Sequence, residues 1–271
     1  MEHQPRKRFG QNFLHDPAII ERLQAFIDAR PGEHLLEIGP GQGAITKGLL
    51  TAVGVLEVVE LDRDLIEPLR QRLGSLGDLR IHNVDALKFD LRSLADGAHR
   101  LRIVGNLPYN ISTPLLFHFL EQADCIDDLH LMLQKEVVER IVAAPGDKIY
   151  GRLSVMVQSV CSASCLLRIG SGAFTPAPKV ESAFLRLRPL RPRRHPLDDP
   201  ALHARIVTAA FGQRRKTLRN SLSGLIDPAI FEDADINPTL RAENLDVASY
   251  ARLSNAASLA LRSLTSSVSK Q

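Results

Sequence analysis

Only three cysteines occur in the chain, Cys125, Cys161 and Cys165. Three thiols cannot build a disulfide framework, and no His or Cys pairs at zinc-ligand spacing accompany them, so a disulfide-stapled module and a structural zinc site are both excluded. Long apolar runs are missing as well. The longest nearly apolar stretch, residues 49–59, contains Thr51 and Glu57 and falls far short of the ~18 residues a membrane span needs. The opening residues, Met-Glu-His-Gln-Pro-Arg-Lys-Arg, hold no apolar core of a secretory signal. A protein of the reducing cytoplasm, without membrane contact, is the expectation. The histidines, His118 and His130 among them, show no ligand spacing and read as structural, so no metal is expected.

What is present is the composition of a globular protein. Hydrophobic residues make up 44% and charged residues 24% of 271 positions, enough for one large domain or two modest ones. The net charge of +3 is unevenly spread. Residues 186–220 hold ten Arg or Lys against Asp198 and Asp199, a local charge of +8 that leaves −5 for the rest. Such a belt is either a solvated surface or the footprint of a polyanionic partner.

Along the chain, Asp16-Pro17 has the form of a helix cap followed by proline at the first helical position, and Ile19, Ile20, Leu23, Phe26 and Ile27 carry helical spacing. Strands are then expected at 34–38, 55–59, 79–83, 101–105, 129–133 and 183–187. Helices are expected up to about Ala52 and at 61–73, 112–121 and 135–143, while 153–160 fits a strand or a buried helix. This alternation predicts an α/β fold with a mainly parallel sheet covered on both faces. Residues 188–200, with four prolines and four arginines, read as an exposed linker, and the chain beyond is helical in pattern. The expected domains are therefore 1–189 and a smaller all-helical domain, 190–271.

After the first of these strands comes Glu37-Ile-Gly39-Pro-Gly41-Gln-Gly43, where glycines let a backbone approach a ligand at a helix start. Glu60 ends the next strand, placed to accept hydrogen bonds from both hydroxyls of a ribose, and Asp85 follows the third, placed to accept from an adenine amino group. Open α/β sheets bind ligands at this edge. An adenosine-containing cofactor follows, and NAD and S-adenosylmethionine both remain open at this point.

Asn106-Leu107-Pro108-Tyr109 follows the fourth strand. An adenine exocyclic amine is a poor nucleophile because its lone pair is delocalised. Acceptors on its N–H groups, the Asn106 side chain and the Leu107 carbonyl, draw the nitrogen towards tetrahedral geometry and aim the lone pair at an electrophile. Pro108 fixes φ and removes a competing donor, and Tyr109 offers a ring for stacking a base. A sulfonium methyl donor suits this arrangement. A hydride-transfer enzyme would leave Asn106 and Tyr109 without a role.

These motifs occur together with Arg6-Lys-Arg-Phe-Gly-Gln-Asn-Phe-Leu14, Glu60-Leu-Asp62, Asp85-Ala86 and Asn106-Leu-Pro-Tyr-Asn-Ile-Ser-Thr113. They are joined by Leu133-Gln-Lys-Glu-Val137, Tyr150-Gly-Arg-Leu-Ser154, Phe174-Thr-Pro-Ala-Pro-Lys-Val180 and Phe211-Gly-Gln-Arg-Arg-Lys-Thr-Leu-Arg-Asn220. Over nearly its whole length the chain resembles the ribosomal RNA adenine dimethyltransferases, in particular the bacterial small-subunit (16S) type. The resemblance implies a Rossmann-like S-adenosylmethionine-dependent methyltransferase sheet with a helical RNA-binding domain. It implies N6-dimethylation of two adjacent adenosines near the 3′ end of 16S rRNA within an assembling small subunit, by a monomer. It implies that Asn12 and Leu14 cover the methionine part of the cofactor, with Gly39 beneath it, Glu60 on the ribose and Asp85 on the adenine. Asn106 then lies between methyl donor and target amine, and Phe174 closes on the base opposite Tyr109. Arg6-Lys7-Arg8 is a candidate phosphate contact, and Phe211, Arg214, Arg215, Lys216 and Arg219 are expected along one helix, with Phe211 in the core. Relatives acting on the large subunit usually read Asn-Ile-Pro-Tyr, so Leu107 and the Phe174 segment favour the small-subunit type. A catalytically silent RNA-binding assembly factor is the remaining alternative.

Overall fold

The computed structural model describes residues 11–95 and 99–268, the last five as backbone only. Among the described residues nine strands run in chain order: β1 (Phe13–Leu14), β2 (Leu35–Ile38), β3 (Val55–Val59), β4 (Asp78–His82), β5 (Leu101–Asn106), β6 (Ile126–Gln134), β7 (Cys161–Ile169), β8 (Phe174–Thr175) and β9 (Ser182–Pro189). The same residues form ten α-helices: α1 (Pro17–Ile27), α2 (Thr46–Val53), α3 (Arg63–Leu73), α4 (Ser112–Glu121), α5 (Lys135–Val142), α6 (Arg152–Gln158), α7 (Pro200–Gly212), α8 (Leu218–Ser221), α9 (Pro228–Asp233) and α10 (Val247–Val268). Among the described residues, no helix is long and apolar enough to cross a membrane.

Seven strands form one sheet in the order β4-β3-β2-β5-β6-β9-β7. The five from β4 to β6 are parallel, and β9 is antiparallel to β6. All four residues of β2 are buried, as expected of a central strand with both faces covered. Gly105 permits the close approach of β5 to β2, since a side chain there would meet the Ile38 carbonyl at 2.8 Å. The strand order turns back between β2 and β5, and parallel pairing brings the carboxyl ends of β2, β3, β4 and β5 to one edge. At the opposite end, Arg102 donates to both oxygens of Asp128, to Glu33 and to the Ile27 carbonyl, tying α1 to β5 and β6. The Asp16 cap is realised as expected, its carboxylate accepting from the Ala18 and Ile19 amides.

Three strands were not foreseen from the sequence. β1 and β8 are two-residue strands paired as a separate antiparallel ribbon, with Phe13 opposite Thr175 and Leu14 opposite Phe174. β7 is an edge strand of small and partly exposed residues, Cys-Ser-Ala-Ser-Cys at its start, and so lacks an apolar alternation. The ambiguous stretch 153–160 is mainly the helix α6.

The chain divides into two compact units. One comprises Met1–Val138 and Ala163–Pro189, the other Glu139–Ser162 and Leu190–Gln271. The division is therefore not a single cut at 190: Tyr150 and Val155 are fully buried among Leu202, Ile206, Phe231 and Leu253, so their segment belongs to the helical core. Two tyrosines anchor that core, Tyr150 donating to the Leu245 carbonyl and Tyr250 to that of Ala242. The basic cluster also departs from expectation. Its residues do not share a helix, because α7 stops at Gly212 and Arg214, Arg215 and Lys216 lie in the exposed turn before α8. Phe211 packs against Tyr150 and Tyr250, as expected of a core residue. Arg6-Lys7-Arg8 lies outside the described residues.

Candidate active site

The glycine turn leaves β2 in a conformation that L side chains disfavour. Gly39, Gly41 and Gly43 have φ of +68°, +56° and +79°. At Gly41 a Cβ would also meet the Phe13 ring at 3.0 Å, so a side chain there would have to push β1 and the turn apart by a few tenths of an ångström as well as adopt a strained φ.

Glu60 follows β3 and is buried. Its Oε2 accepts from the Gly41 amide at 3.2 Å and its Oε1 from the Asp62 amide at 2.8 Å. Burial raises its pKa above the ordinary carboxylate value, and the two amide bonds work against that rise. The carboxylate is thus fixed in orientation with acceptor capacity left on both oxygens. Asp62 in turn caps α3 and accepts from the Gln11 amide at 2.9 Å. Asp85 caps a short 3₁₀ turn, its Oδ1 accepting from the Leu87 amide at 3.0 Å.

Asn106 closes β5. Its Nδ2 donates to the Asn12 carbonyl at 3.0 Å, which leaves Oδ1 as the side-chain acceptor. Leu107, buried, donates its amide to the Met132 carbonyl near the end of the neighbouring strand. The Pro108 carbonyl is taken by the Ile111 amide and that of Tyr109 by the Ser112 hydroxyl, which turns the chain into α4. The Tyr109 hydroxyl shares a 2.5 Å hydrogen bond with Ser182 Oγ on β9, and burial raises its pKa.

Asn12, Leu14, Gly39, Glu60, Asp85, Asn106, Leu107, Pro108 and Tyr109 all line one cavity of about 240 Å³. Phe174 does not. It is 2% exposed, packed in the apolar core and paired across the β1–β8 ribbon with Leu14, so stacking on a base would require it to leave the core.

Sequence reasoning missed Glu37 as a site residue in its own right. It lines the same cavity, is 3% exposed, and its Oε2 has no hydrogen-bond partner. Burial pushes its pKa up to about 7, the nearby Thr46 hydroxyl opposing the rise and the charge of Glu60 adding to it. The available signal was an acid inside the apolar run Leu35-Leu-Glu-Ile38. Gln11, Phe13 and Ser182 were also passed over. Among the described residues, no group of three His, Cys, Asp or Glu could hold a metal; His118 is bonded to the Phe89 carbonyl and His130 lies beside Phe184.

Residues 2–258 match the sequence profile of the family described as ribosomal RNA adenine dimethylase. The chain is 55% identical over 254 residues to ribosomal RNA small subunit methyltransferase A of Pseudomonas aeruginosa, covering 94% of this chain and 95% of the relative. It is 53% identical over 258 residues to the protein of the same name from Methylococcus capsulatus, covering 94% and 98%. Among solved structures, a dimethyladenosine transferase from Plasmodium falciparum shares the fold with a TM-score of 0.77 at 24% identity, covering 89% of this chain and 95% of that one. The 23S rRNA methyltransferase ErmE superposes with a TM-score of 0.68 at 26% identity, covering 91% and 100%. On the profile match over residues 2–258 and these identities, the chain belongs to the ribosomal RNA adenine dimethylase family.

Proposed function

We propose that this protein transfers methyl groups from S-adenosylmethionine to N6 of two adjacent adenosines near the 3′ end of 16S rRNA in an assembling small ribosomal subunit, acting as a cytoplasmic monomer. The observation that carries this reading is the fixed orientation of Asn106: with Nδ2 donating to Asn12 O, Oδ1 is presented as an acceptor for an adenine N–H.

The cavity suits the methyl donor on its own terms. Glu60, pinned by two backbone amides, accepts from a ribose diol, and Asp85 accepts from an adenine amine. Glu37, buried and without a partner on Oε2, supplies the counter-charge for a cationic group. S-adenosylmethionine supplies a sulfonium-bound methyl with a neutral leaving group, so positioning matters more than a strong base. Asn12, Leu14 and Gly39 frame the remaining wall. The target adenine leaves its stack, as enzymes acting on bases require, and rests on Tyr109 while Asn106 Oδ1 and the Leu107 carbonyl accept its two N–H groups. With N6 held by these acceptors, its lone pair would be aimed at the methyl group that bound S-adenosylmethionine would supply, and the N6 proton would be lost to water. Phe174 completes a sandwich only after displacement from the apolar core.

The helical unit bears the exposed Arg215, Lys216 and Arg219 and would hold phosphates of structured RNA, recognised by shape. Binding is then expected to weaken steeply as salt rises, with a linear fall of log affinity against log salt.

Removing the Glu60 carboxylate leaves the Gly41 and Asp62 amides and the ribose hydroxyls without their acceptor. Glu60→Ala is expected to weaken S-adenosylmethionine binding by ~1–3 kcal/mol, read by titration calorimetry; an unaltered dissociation constant would remove Glu60 from the site.

Because the fold is shared with a 23S rRNA methyltransferase, the substrate test must separate the two particles. Purified protein, labelled S-adenosylmethionine and unmethylated small or large subunits should yield dimethyladenosine in the small-subunit RNA alone. Label confined to large subunits would replace this reading with the rival one.

A further inference from the structure

Ser182 is the first residue of β9 and is completely buried. It has little freedom to move. It stands opposite Gln134, the last residue of β6, and the next pair of contacts, the Lys135 amide to the Glu181 carbonyl at 2.9 Å, closes the ladder on its other side. From this fixed place its hydroxyl reaches Tyr109, 73 residues earlier, at 2.5 Å. The bond is made to the far end of the ring. Tyr109 is held at its near end by the backbone turn, its carbonyl accepting from Ser112 Oγ, so fixing the hydroxyl removes the ring's remaining swing about Cα–Cβ. A part-buried hydroxyl pair, anchored on one side by a fully buried serine, favours one orientation of the ring.

We propose that Ser182 is a positioning residue that locks the Tyr109 ring as the platform for the adenine, and that its contribution falls chiefly on the second methyl transfer. The inference rests on the adenine-N6 dimethylation proposed above. In the first round N6 carries two hydrogens, and two acceptors, Asn106 Oδ1 and the Leu107 carbonyl, orient it. One proton has left and one methyl has arrived when the second round begins, so a single N–H remains to be accepted. Orientation that hydrogen bonds no longer provide must then come from the stack. A ring free to pivot would still support the first transfer and would misplace the lone pair in the second.

The test is the ratio of monomethyl- to dimethyladenosine released by nuclease digestion and mass spectrometry. It is measured under limited turnover on unmethylated small subunits, for the wild type, Ser182→Ala, Tyr109→Phe and the double variant. Loss of one hydrogen bond is expected to slow the second transfer roughly fivefold against the first, so monomethyladenosine accumulates in both single variants. Tyr109→Phe reads the same bond without disturbing the buried serine, and so stands in if Ser182→Ala lowers the amount of folded protein. The double variant should be no worse than either single one, because both remove the same bond. An unchanged product ratio in the single variants, or effects that multiply in the double, would overturn the positioning role. A wild type that forms no dimethyladenosine would instead sink the proposed function itself, leaving the two failures distinct.

Discussion

Replacing Asn106 with alanine is expected to lower methyl transfer by about 100- to 1,000-fold, the range found when a single preorganised polar group at a reacting centre is removed. RNA affinity should be retained, because the exposed cations assigned to phosphate contact lie in the other unit. Two consequences of the side chain are lost at once. Oδ1 no longer accepts from the target amine, and Nδ2 no longer holds the Asn12 carbonyl at 3.0 Å. Asn106→Asp separates them. An aspartate keeps oxygen acceptors but has no donor for Asn12 O, so the carboxylate and the carbonyl repel and the group turns from its seat. If donation to Asn12 sets the orientation, the aspartate variant should fall nearly as far as alanine. Single-turnover kinetics beside an RNA-binding isotherm would check both, and unchanged turnover in Asn106→Ala would refute the assigned role.

Glu37→Gln is expected to act in opposite directions on stability and on cofactor binding. In the fold the carboxyl titrates at about 7, raised from an ordinary 4.5 by burial and by Glu60. A raised acid pKa means that stability is complete below about 4.5 and is lost as pH rises towards 7. The loss amounts to ~3 kcal/mol once the carboxyl is ionised in both the folded and the unfolded chain, since each tenfold change in proton affinity corresponds to ~1.4 kcal/mol. Glutamine removes the titration, so the variant should melt higher than the parent at pH 8 and close to it at pH 4. The same carboxylate, once ionised, is the cavity's unsatisfied buried anion. S-adenosylmethionine affinity of the parent should therefore rise with pH through 7 and binding should release protons, whereas Glu37→Gln should bind more weakly with a flat pH profile. Calorimetry in buffers of differing ionisation enthalpy measures the proton release; equal release by parent and variant would free Glu37 from this role.

Much of this site was legible because it is built from strand ends. Apolar runs such as Leu35–Ile38 and Val55–Val59 announce buried parallel strands, and parallel strands deliver whatever follows them to a single edge. Gly39, Glu60, Asp85 and Asn106 could for that reason be placed together before any coordinates. Contacts made by side chains across long sequence separations were not legible. Ser182 meets Tyr109 and Gln11 meets Asp62, and neither pair leaves a local pattern. The β1–β8 ribbon is too short for a periodicity, which is why the burial of Phe174 opposite Leu14 was not legible in the sequence. The arginines and lysine near residue 215 looked helical because nothing in their composition marks the stop after Gly212. Segment Glu139–Ser162 sits in the helical unit through Tyr150 and Val155, a tertiary choice that composition alone does not reveal.

Nucleoside mass spectrometry of 16S rRNA from cells lacking this protein tests the central claim most directly. The account predicts that both neighbouring dimethyladenosines near the 3′ end revert to adenosine, that the intact gene restores them, and that the Asn106→Ala gene does not. Dimethyladenosines that persist in the deletion strain, or that return with the alanine variant, would contradict it.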